Sequence, residues 1–213
     1  MILAPNLNFD WLAHGFGLRN SVPPTELTTA KQIHSAHVLD ACGKKGERIG
    51  EGDAIISSEP GVAVGIRTAD CVPIILVDPG LVDPGHRMVA SIHAGWRGTA
   101  ANIVGATVAE MRLRGARPGD LRAAIGPSIG SCCYEVGPEV TQALSPWQPE
   151  LGEAKIPTKV NLPAINAIQL REAGVRDIWI SGECTYCNPE RFFSFRREKE
   201  EAGRMLSFVS RLA

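Results

Sequence analysis

The stretch that decides the fold is Val62-Ala-Val-Gly-Ile66-Arg-Thr68-Ala-Asp70-Cys71-Val-Pro73-Ile-Ile-Leu-Val77. Two apolar runs, Val62–Ile66 and Pro73–Val77, flank a short segment that carries one thiol. The second run is apolar at consecutive positions, which predicts a strand buried on both faces in the middle of a sheet. Cys71 therefore lies between two strands, where side chains from loops can converge on a cleft.

The rest of the chain alternates short β-rich runs with helical patterns. The helical patterns predict one helix from Gly98 or Thr99 to Arg114, one over Gly137–Leu144, and one over Leu162–Ala173 capped by Asn161. This mixture predicts a mixed α/β (α+β) fold in a single domain over residues 1–213. The further predicted strands are His34–Leu39, Ala54–Ser57, Met88–His93, Leu121–Ile125, Asp177–Ile180 and Phe192–Phe195.

Composition narrows the classes of function. The chain has 213 residues, 44% hydrophobic and 21% charged, which is ordinary for a globular protein. Its formal net charge of −1 gives no electrostatic reason to expect nucleic acid or an acidic membrane surface as a partner. The absence of a long apolar run or a signal-like N-terminus, together with six unevenly spaced cysteines, predicts a cytoplasmic protein. Nothing in the pattern predicts an oligomeric state.

A second motif, His93-Ala-Gly95-Trp-Arg97-Gly98, supplies an imidazole at the end of a predicted strand. Cys71, His93 and one earlier histidine could form either a three-ligand catalytic zinc site or a Cys–His nucleophile pair. The earlier histidine is His34 or His37, which point to opposite faces of a strand, so that only one can reach the site. Spacing does not choose between them.

The same motif predicts an anion site. Gly95 and Gly98 allow close backbone approach, and Arg97 offers a guanidinium beside a predicted helix N-terminus, which suits phosphate. Asp53 could act as a base, orient a ligand histidine or form a turn. One of the two adjacent arginines that begin at Arg196 could enter the site.

Four other cysteines form two pairs. Cys132 and Cys133 follow the loop Gly126–Gly130, and adjacent cysteines are not expected to face one cavity. Cys184 and Cys187 have a CxxC spacing, but there is no second CxxC, which favours buried or pocket-lining thiols over structural zinc.

These motifs together resemble one family. The chain is similar to the laccase-domain family, long labelled multicopper polyphenol oxidase and now described as purine nucleoside phosphorylase. The resemblance runs in order from about His14 to the C-terminus. It is carried by Lys31–His34, Asp53–Ile55, Thr68–Pro73, His93–Gly98, Gly126–Gly130, Cys133–Gly137, Cys184–Cys187 and Phe192–Arg197.

The resemblance implies a mixed α/β fold similar to a group once described as cysteine hydrolases. It implies zinc held at His34, Cys71 and His93, and phosphorolysis of adenosine, inosine, guanosine and methylthioadenosine with some adenosine deamination. Purine nucleosides and phosphate are the partners it implies. Catalytic roles are expected for Cys71, His93, Asp70 and Arg97, and substrate or phosphate contacts for Gly95, Gly98, Asp53, Arg67, Cys133, Arg19 and Arg196.

One segment departs from the family pattern. Gly17–Ala30 is short, and Gly17-Leu-Arg19-Asn20 stands where relatives carry Ser/Thr-Arg-Gly-Gly. This departure bears on the choice of substrate.

Two other functions compete with the phosphorylase. A metal-independent cysteine hydrolase or deamidase would use Cys71 as nucleophile and His93 as base. A copper-dependent polyphenol oxidase is the least favoured, because multicopper sites need more imidazoles than five histidines supply. Copper could still occupy the His–Cys–His site adventitiously, since it binds most tightly in the divalent series.

Overall fold

The computed structural model describes residues 1–81 and 83–212, and all of its strands and helices lie within them. Short 3₁₀ turns occur between several of these elements. The strands are β1 Leu12–Gly15, β2 Leu27–Lys31, β3 Val38–Asp40, β4 Arg48–Glu51, β5 Ala54–Ser57, β6 Ala63–Thr68, β7 Val72–Asp78, β8 Met88–Ala94, β9 Arg122–Ile125, β10 Glu135–Val136, β11 Thr158–Lys159, β12 Asp177–Ile180 and β13 Met205–Arg211. The α-helices are α1 Trp96–Ala100, α2 Ile103–Leu113, α3 Pro138–Leu144, α4 Leu162–Glu172 and α5 Phe195–Glu198.

The larger sheet is mixed and has the strand order β12-β9-β7-β8-β5-β3. β7 lies in its middle, antiparallel to both β8 and β9, and every residue of β7 is buried. Ile74 and Leu76 pack toward the helices, whereas Ile75 and Val77 pack toward the second sheet. This alternation confirms the predicted strand with two buried faces.

The second sheet, with the order β1-β13-β6-β2-β4, covers the face of the first sheet opposite α2 and α4. A two-stranded ribbon of β10 and β11 completes the β structure of the described residues. The predicted mixed α/β fold is therefore confirmed. Within residues 1–81 and 83–212, no helix combines the length and the apolar character needed to cross a bilayer.

Two of the predicted helices are confirmed as α3 and α4. Asn161 caps α4 as predicted, since its side chain accepts the backbone N–H of Ala164 at 3.1 Å. The single helix predicted from Gly98 or Thr99 to Arg114 is wrong, because two helices, α1 and α2, replace it. Asn102 breaks it by adopting a left-handed conformation (φ 58°) and capping α2 through the N–H of Gly105. An Asn side chain competes in this way with continuous helical hydrogen bonding.

Two predicted strands are also corrected. Phe192–Ser194 is irregular, and Ser194 instead caps α5 by accepting the N–H of Arg197. The strand predicted over His34–Leu39 begins only at Val38. The preceding residues form a turn, because the backbone N–H groups of residues 33–35 bind a buried carboxylate rather than a neighbouring strand.

Strand register places the motifs at one edge of the larger sheet. Val72 pairs with Ala94, so Cys71 and His93 lie side by side where β7 begins and β8 ends. Ala54 pairs with Ile92, which puts Asp53 beside His93.

Candidate metal centre and cavity

The thiol of Cys71 and the imidazoles of His34 and His93 form one cluster. Their ligand atoms all lie within 4.8 Å of one another, and the two rings meet edge to face with centroids 5.0 Å apart. His37 lies outside this cluster. The structure thereby separates the two histidines that spacing left equivalent.

His34 reaches the cluster because its backbone is held in an unusual conformation. Its φ is +59°, a left-handed value that non-glycine residues adopt only when the surroundings impose it. The Asp53 carboxylate imposes it by accepting the N–H groups of Ile33, His34 and Ser35 at 3.2, 3.0 and 2.6 Å. Asp53 also accepts the hydroxyl of Ser35 at 2.8 Å.

Asp53 orients the second histidine as well. Its Oδ1 is 2.8 Å from Nδ1 of His93, and its carbonyl accepts the His93 backbone N–H at 2.7 Å. An ionised carboxylate can only accept, so Nδ1 carries a proton and Nε2 is left for Cys71 or a cation. Asp53 is therefore the residue that organises this centre.

Electrostatic coupling within the cluster shifts three pKa values. Burial opposes ionisation of Cys71, yet hydrogen bonds from His34 and His93 lower its pKa to about 6. Burial likewise disfavours the charged form of His93, but hydrogen bonds with Asp53 and Cys71 raise its pKa to about 9. The pKa of Asp53 falls to about 2 despite burial, because His93 and Ser35 hydrogen-bond to the carboxylate. A thiolate beside imidazoles is the ionisation state that a metal ligand or a nucleophile needs.

Gly95 completes the centre by leaving space. A Cβ there would lie 3.1 Å from both Cys71 Sγ and His34 Cδ2, which is tighter than ordinary contact. Any larger residue would push the thiol and the imidazole apart. The two nitrogen donors and one sulfur donor suit zinc, which takes three protein ligands in catalytic sites.

The cluster opens into a cavity of about 510 Å³, a size typical of small-molecule sites. Its apolar and aromatic lining comes from Ile129, Tyr134 and Phe195. Its polar lining includes Gln32, Thr68 and three arginines, Arg67, Arg196 and Arg204. Burial, followed by the nearby Cys71, raises the pKa of the Tyr134 phenol to about 12, so it stays protonated.

The three arginines carry the net positive charge of the cavity. Among residues 1–81 and 83–212, no carboxylate oxygen lies within 4.0 Å of the guanidinium nitrogens of these three arginines. Arg196 and Arg204 lie over the rings of Tyr134 and Phe195, at 5.4 and 5.8 Å from the centroids. Arginines without acidic partners at an open cavity favour an anionic ligand.

Asp70 lines the cavity but is saturated by other protein groups. Its carboxylate accepts the hydroxyls of Thr185 and Ser194 at 2.7 and 3.0 Å and the N–H of Arg196 at 2.7 Å. These contacts make it an anchor for the loop that carries Arg196. The geometry gives Asp70 a positioning function and leaves little of its carboxylate for chemistry.

Four predicted site residues lie elsewhere. The Arg97 side chain is 57% exposed and stacks on Trp96 near Glu139, so it does not line the cavity. Arg19 is held by Glu198 and the Phe193 ring. Gly98 packs against the carbonyl of Ser35, and Cys133 belongs to a separate group of thiols.

The anion cradle predicted at the start of the helix therefore requires correction. α1 is only five residues long, and its arginine turns toward solvent.

Cys132 and Cys133 were not expected to face one cavity, but the structure brings both of their sulfurs close to Cys187. They can do so because residues 131–133 form a turn rather than a strand.

Several cavity residues were not predicted from the sequence. Gln32, Thr68, Tyr134 and Phe195 lie within the motifs that carry the family resemblance, so their membership of those motifs was the available signal. Arg204 is remote from every motif and had none. The Thr68 hydroxyl is buried and has no hydrogen-bond partner within the described part of the chain.

The chain is similar to known proteins over most of its length. Residues 8–212 match the model of the family described as multi-copper polyphenol oxidoreductase laccase. The chain belongs to this family. A Deinococcus radiodurans protein named purine nucleoside phosphorylase is 37% identical over 183 residues, which cover 84% of this chain and 67% of that protein.

Two further proteins show similar agreement with this chain. A protein from an unknown prokaryotic organism, named adenosine deaminase RL5, is 38% identical over 167 residues, covering 75% of this chain and 62% of that protein. The crystal structure of the Bacillus licheniformis hypothetical protein YfiH superposes with a TM-score of 0.79 at 32% identity. That match covers 88% of this chain and 74% of the other. The chain thus spans between 62% and 74% of the length of these matched proteins.

Proposed function

We propose that the protein is a zinc-dependent purine nucleoside phosphorylase. The observation that carries this proposal is the convergence, in one cavity, of the His34–Cys71–His93 cluster with Arg67, Arg196 and Arg204. The names of relatives support the substrate class, because several relatives at 35–39% identity are named purine nucleoside phosphorylase.

The metal would be held by His34, Cys71 and His93. The space that Gly95 leaves and the mixed nitrogen and sulfur donors fit a zinc ion with an open position. A zinc ion bound there would supply Lewis-acid chemistry. Asp53 keeps the proton on Nδ1 of His93 and thereby presents Nε2 to the ion.

The arginines would bind phosphate and orient it for attack. In phosphorolysis a phosphate oxygen forms a bond to ribose C1′ while the C1′–N9 bond breaks and its electron pair leaves with the purine. Arg67, Arg196 and Arg204 would hold the dianion through charge-assisted hydrogen bonds, which are the strongest available to phosphate. This assignment replaces the role first expected for Arg97.

The apolar part of the cavity would hold the purine. Tyr134, Phe195 and Ile129 offer aromatic and apolar surface of the kind that packs against flat bases. The Thr68 hydroxyl, which lacks a partner within the described residues, is available to hydrogen-bond the nucleoside. Adenosine, inosine, guanosine and methylthioadenosine are the proposed substrates, with adenosine deamination as a side reaction in the same cavity.

The test is the turnover of inosine by zinc-loaded protein with and without phosphate, followed by chromatography. We expect hypoxanthine and ribose 1-phosphate in equal amounts, and neither product without phosphate. Release of hypoxanthine at the same rate without phosphate would indicate a hydrolase. Absence of hypoxanthine under both conditions would overturn the proposal.

A cysteine hydrolase is a second candidate, because the lowered pKa of Cys71 is also what a nucleophilic thiol needs. Chelation separates the two functions. A hydrolase would remain active after zinc removal and lose activity on thiol alkylation, whereas the phosphorylase would lose activity on chelation and regain it with zinc.

Copper oxidase chemistry fits this centre poorly despite the family's name. Three of the five histidines lie outside the cluster, where His14 and His86 bond backbone groups of Ala4 and Arg114. A multicopper site needs more imidazole ligands than remain.

We also propose a cytoplasmic location, because reduced thiols such as Cys71 require a reducing compartment.

A further inference from the structure

A second group of metal-ligating side chains lies outside the cavity. The Sγ atoms of Cys132, Cys133, Cys184 and Cys187 all lie within 4.8 Å of one another. Cys187 Sγ is 3.6 Å from Cys132 Sγ and 3.3 Å from Cys133 Sγ. We call these four residues the thiol cluster.

The fold itself builds this cluster from two distant segments. β9 and β12 are parallel neighbours, so the loops that follow them emerge at the same edge of the sheet. Cys132 and Cys133 follow β9, and Cys184 and Cys187 follow β12. A bridge between Ser128 and Cys184 ties the two loops together beside the sulfurs.

We propose that the thiol cluster binds a zinc ion as a tetrathiolate site, separate from the His34–Cys71–His93 centre. Zinc–sulfur bonds of about 2.3 Å in a tetrahedron place the sulfurs roughly 3.8 Å apart. The observed separations of 3.3 and 3.6 Å lie close to that edge length. One disulfide would account for two of the four sulfurs and two disulfides for separate pairs, whereas a single tetrahedral ion accounts for the mutual approach of all four.

The surrounding backbone is arranged as in a site for a thiolate-bound cation. The N–H of Gly130 donates to Cys184 Sγ at 3.2 Å, the kind of outer contact that stabilises a metal-bound thiolate. A Cβ at Gly130 would lie 3.3 Å from Cys132 Sγ and 3.3 Å from Cys184 Cβ, so only glycine leaves the sulfurs their present room. The Asn188 amide holds the carbonyl of Cys184 at 2.9 Å.

Such an ion would fix two walls of the cavity. Tyr134 follows Cys133 directly and lines the cavity. Thr185 follows Cys184 and donates to the Asp70 carboxylate at 2.7 Å. The ion would therefore act as a structural clamp between loops and would take no part in the chemistry.

The test is the metal content of protein purified under reducing conditions, supplied with zinc and desalted. We expect about two zinc equivalents per chain, one for each site. The Cys184→Ser/Cys187→Ser double variant should retain about one, and Cys71→Ser should also retain about one at the thiol cluster. Cys42→Ser is the matched control, since Cys42 is exposed and lies outside both groups, and it should retain the wild-type content.

This design separates failure of the inference from failure of the proposed function. If the double variant keeps the wild-type zinc content, the thiol cluster does not bind zinc, whatever happens at Cys71. If Cys71→Ser keeps the wild-type content while the double variant loses zinc, the proposed catalytic centre fails and the thiol cluster stands.

Two measurements on chains that keep all four cysteines of the thiol cluster keep the test decisive if the double variant misfolds. Cobalt substituted into Cys71→Ser protein should give intense thiolate-to-cobalt charge-transfer absorption, because that protein retains the four thiols of the cluster. Thiol titration of denatured, zinc-free wild-type protein should detect all six cysteines. Absence of the absorption, or a pair of missing thiols that signals a disulfide, would overturn the inference.

Discussion

Replacing Asp53 with Asn tests the organisation of the metal centre most directly. The carboxylate has three donors at Oδ2, from Ile33 and from the backbone and hydroxyl of Ser35. It has two donors at Oδ1, from His34 and His93. An amide has one acceptor oxygen, so its NH₂ group must face one of these two sets.

The number of donors on each side predicts the orientation of the amide. Placing its nitrogen at the Oδ1 position sacrifices two hydrogen bonds instead of three. One of these can re-form if His93 moves its proton from Nδ1 to Nε2 and accepts from the amide. In this arrangement Nε2 of His93, which faces Cys71, carries the proton. The backbone N–H of His34 has then lost its acceptor.

The expected cost can be worked out from these contacts. One lost hydrogen bond to a charged acceptor, plus weakening of the others, amounts to about 2–4 kcal/mol of unfolding free energy. In a chain of this size that lowers Tm by roughly 4–16 °C. Because Asp53 acts on both histidines, zinc affinity should fall by roughly 10- to 100-fold.

The assays are competition for zinc against a chromophoric chelator and calorimetric melting of the metal-free protein. Asp78→Asn is the matched control, because Asp78 is also buried in the sheet and an amide oxygen can still accept the Gly80 N–H. Wild-type zinc affinity in Asp53→Asn protein would refute the reasoning, as would an equal loss of affinity in the control.

Three further predictions concern the cavity and the pH response. Thr68→Val removes a buried hydroxyl without a partner among the described residues, so the free energy of unfolding should stay unchanged or rise by about 1–3 kcal/mol. The KM for inosine should rise in the same variant. A lower free energy of unfolding with an unchanged KM would contradict this prediction. Arg67→Ala should raise the KM for phosphate roughly 10- to 150-fold, which corresponds to about 1.5–3 kcal/mol for one charge-assisted contact. Arg97→Ala should leave this KM unchanged. The reverse pattern in steady-state kinetics would place the anion site at the start of α1. Burial raises the pKa of Asp78 in the folded state. Protonation of this carboxyl therefore stabilises the folded protein fully below the unfolded pKa near 4, and that stabilisation is lost as pH rises through the folded pKa. Asp78→Asn should therefore gain stability relative to wild type between about pH 4 and neutrality, and a constant difference in calorimetry would show that no such shift exists.

The parts of the fold that depend on local pattern were predictable. β5 and β12 have the bounds that were predicted for them, and Asn161 caps α4 as its position before an apolar stripe indicates. β7 lies at the centre of the sheet because consecutive apolar residues need two buried faces.

Two of the errors arose where a distant carboxylate overrides local preference, and the third arose from a local side-chain cap. The N–H groups before Val38 bind Asp53 and form a turn, although the side-chain pattern is compatible with a strand. Asn102 interrupts a helix whose apolar stripe is continuous across the break. Ser194 gives its hydroxyl to Asp70 instead of joining a strand.

The sequence by itself determined the fold class, the family and the kinds of chemistry available: one thiol and two imidazoles beside buried strands. The tertiary structure alone decided which copies of each residue type meet. It brings His34 rather than His37 to Cys71, turns Arg97 toward solvent, leaves Arg67 and Arg204 at the cavity, and gathers four cysteines from two loops. The reason is physical: periodicity encodes which face of an element is buried, whereas convergence depends on strand register and on hydrogen bonds between residues far apart in the chain.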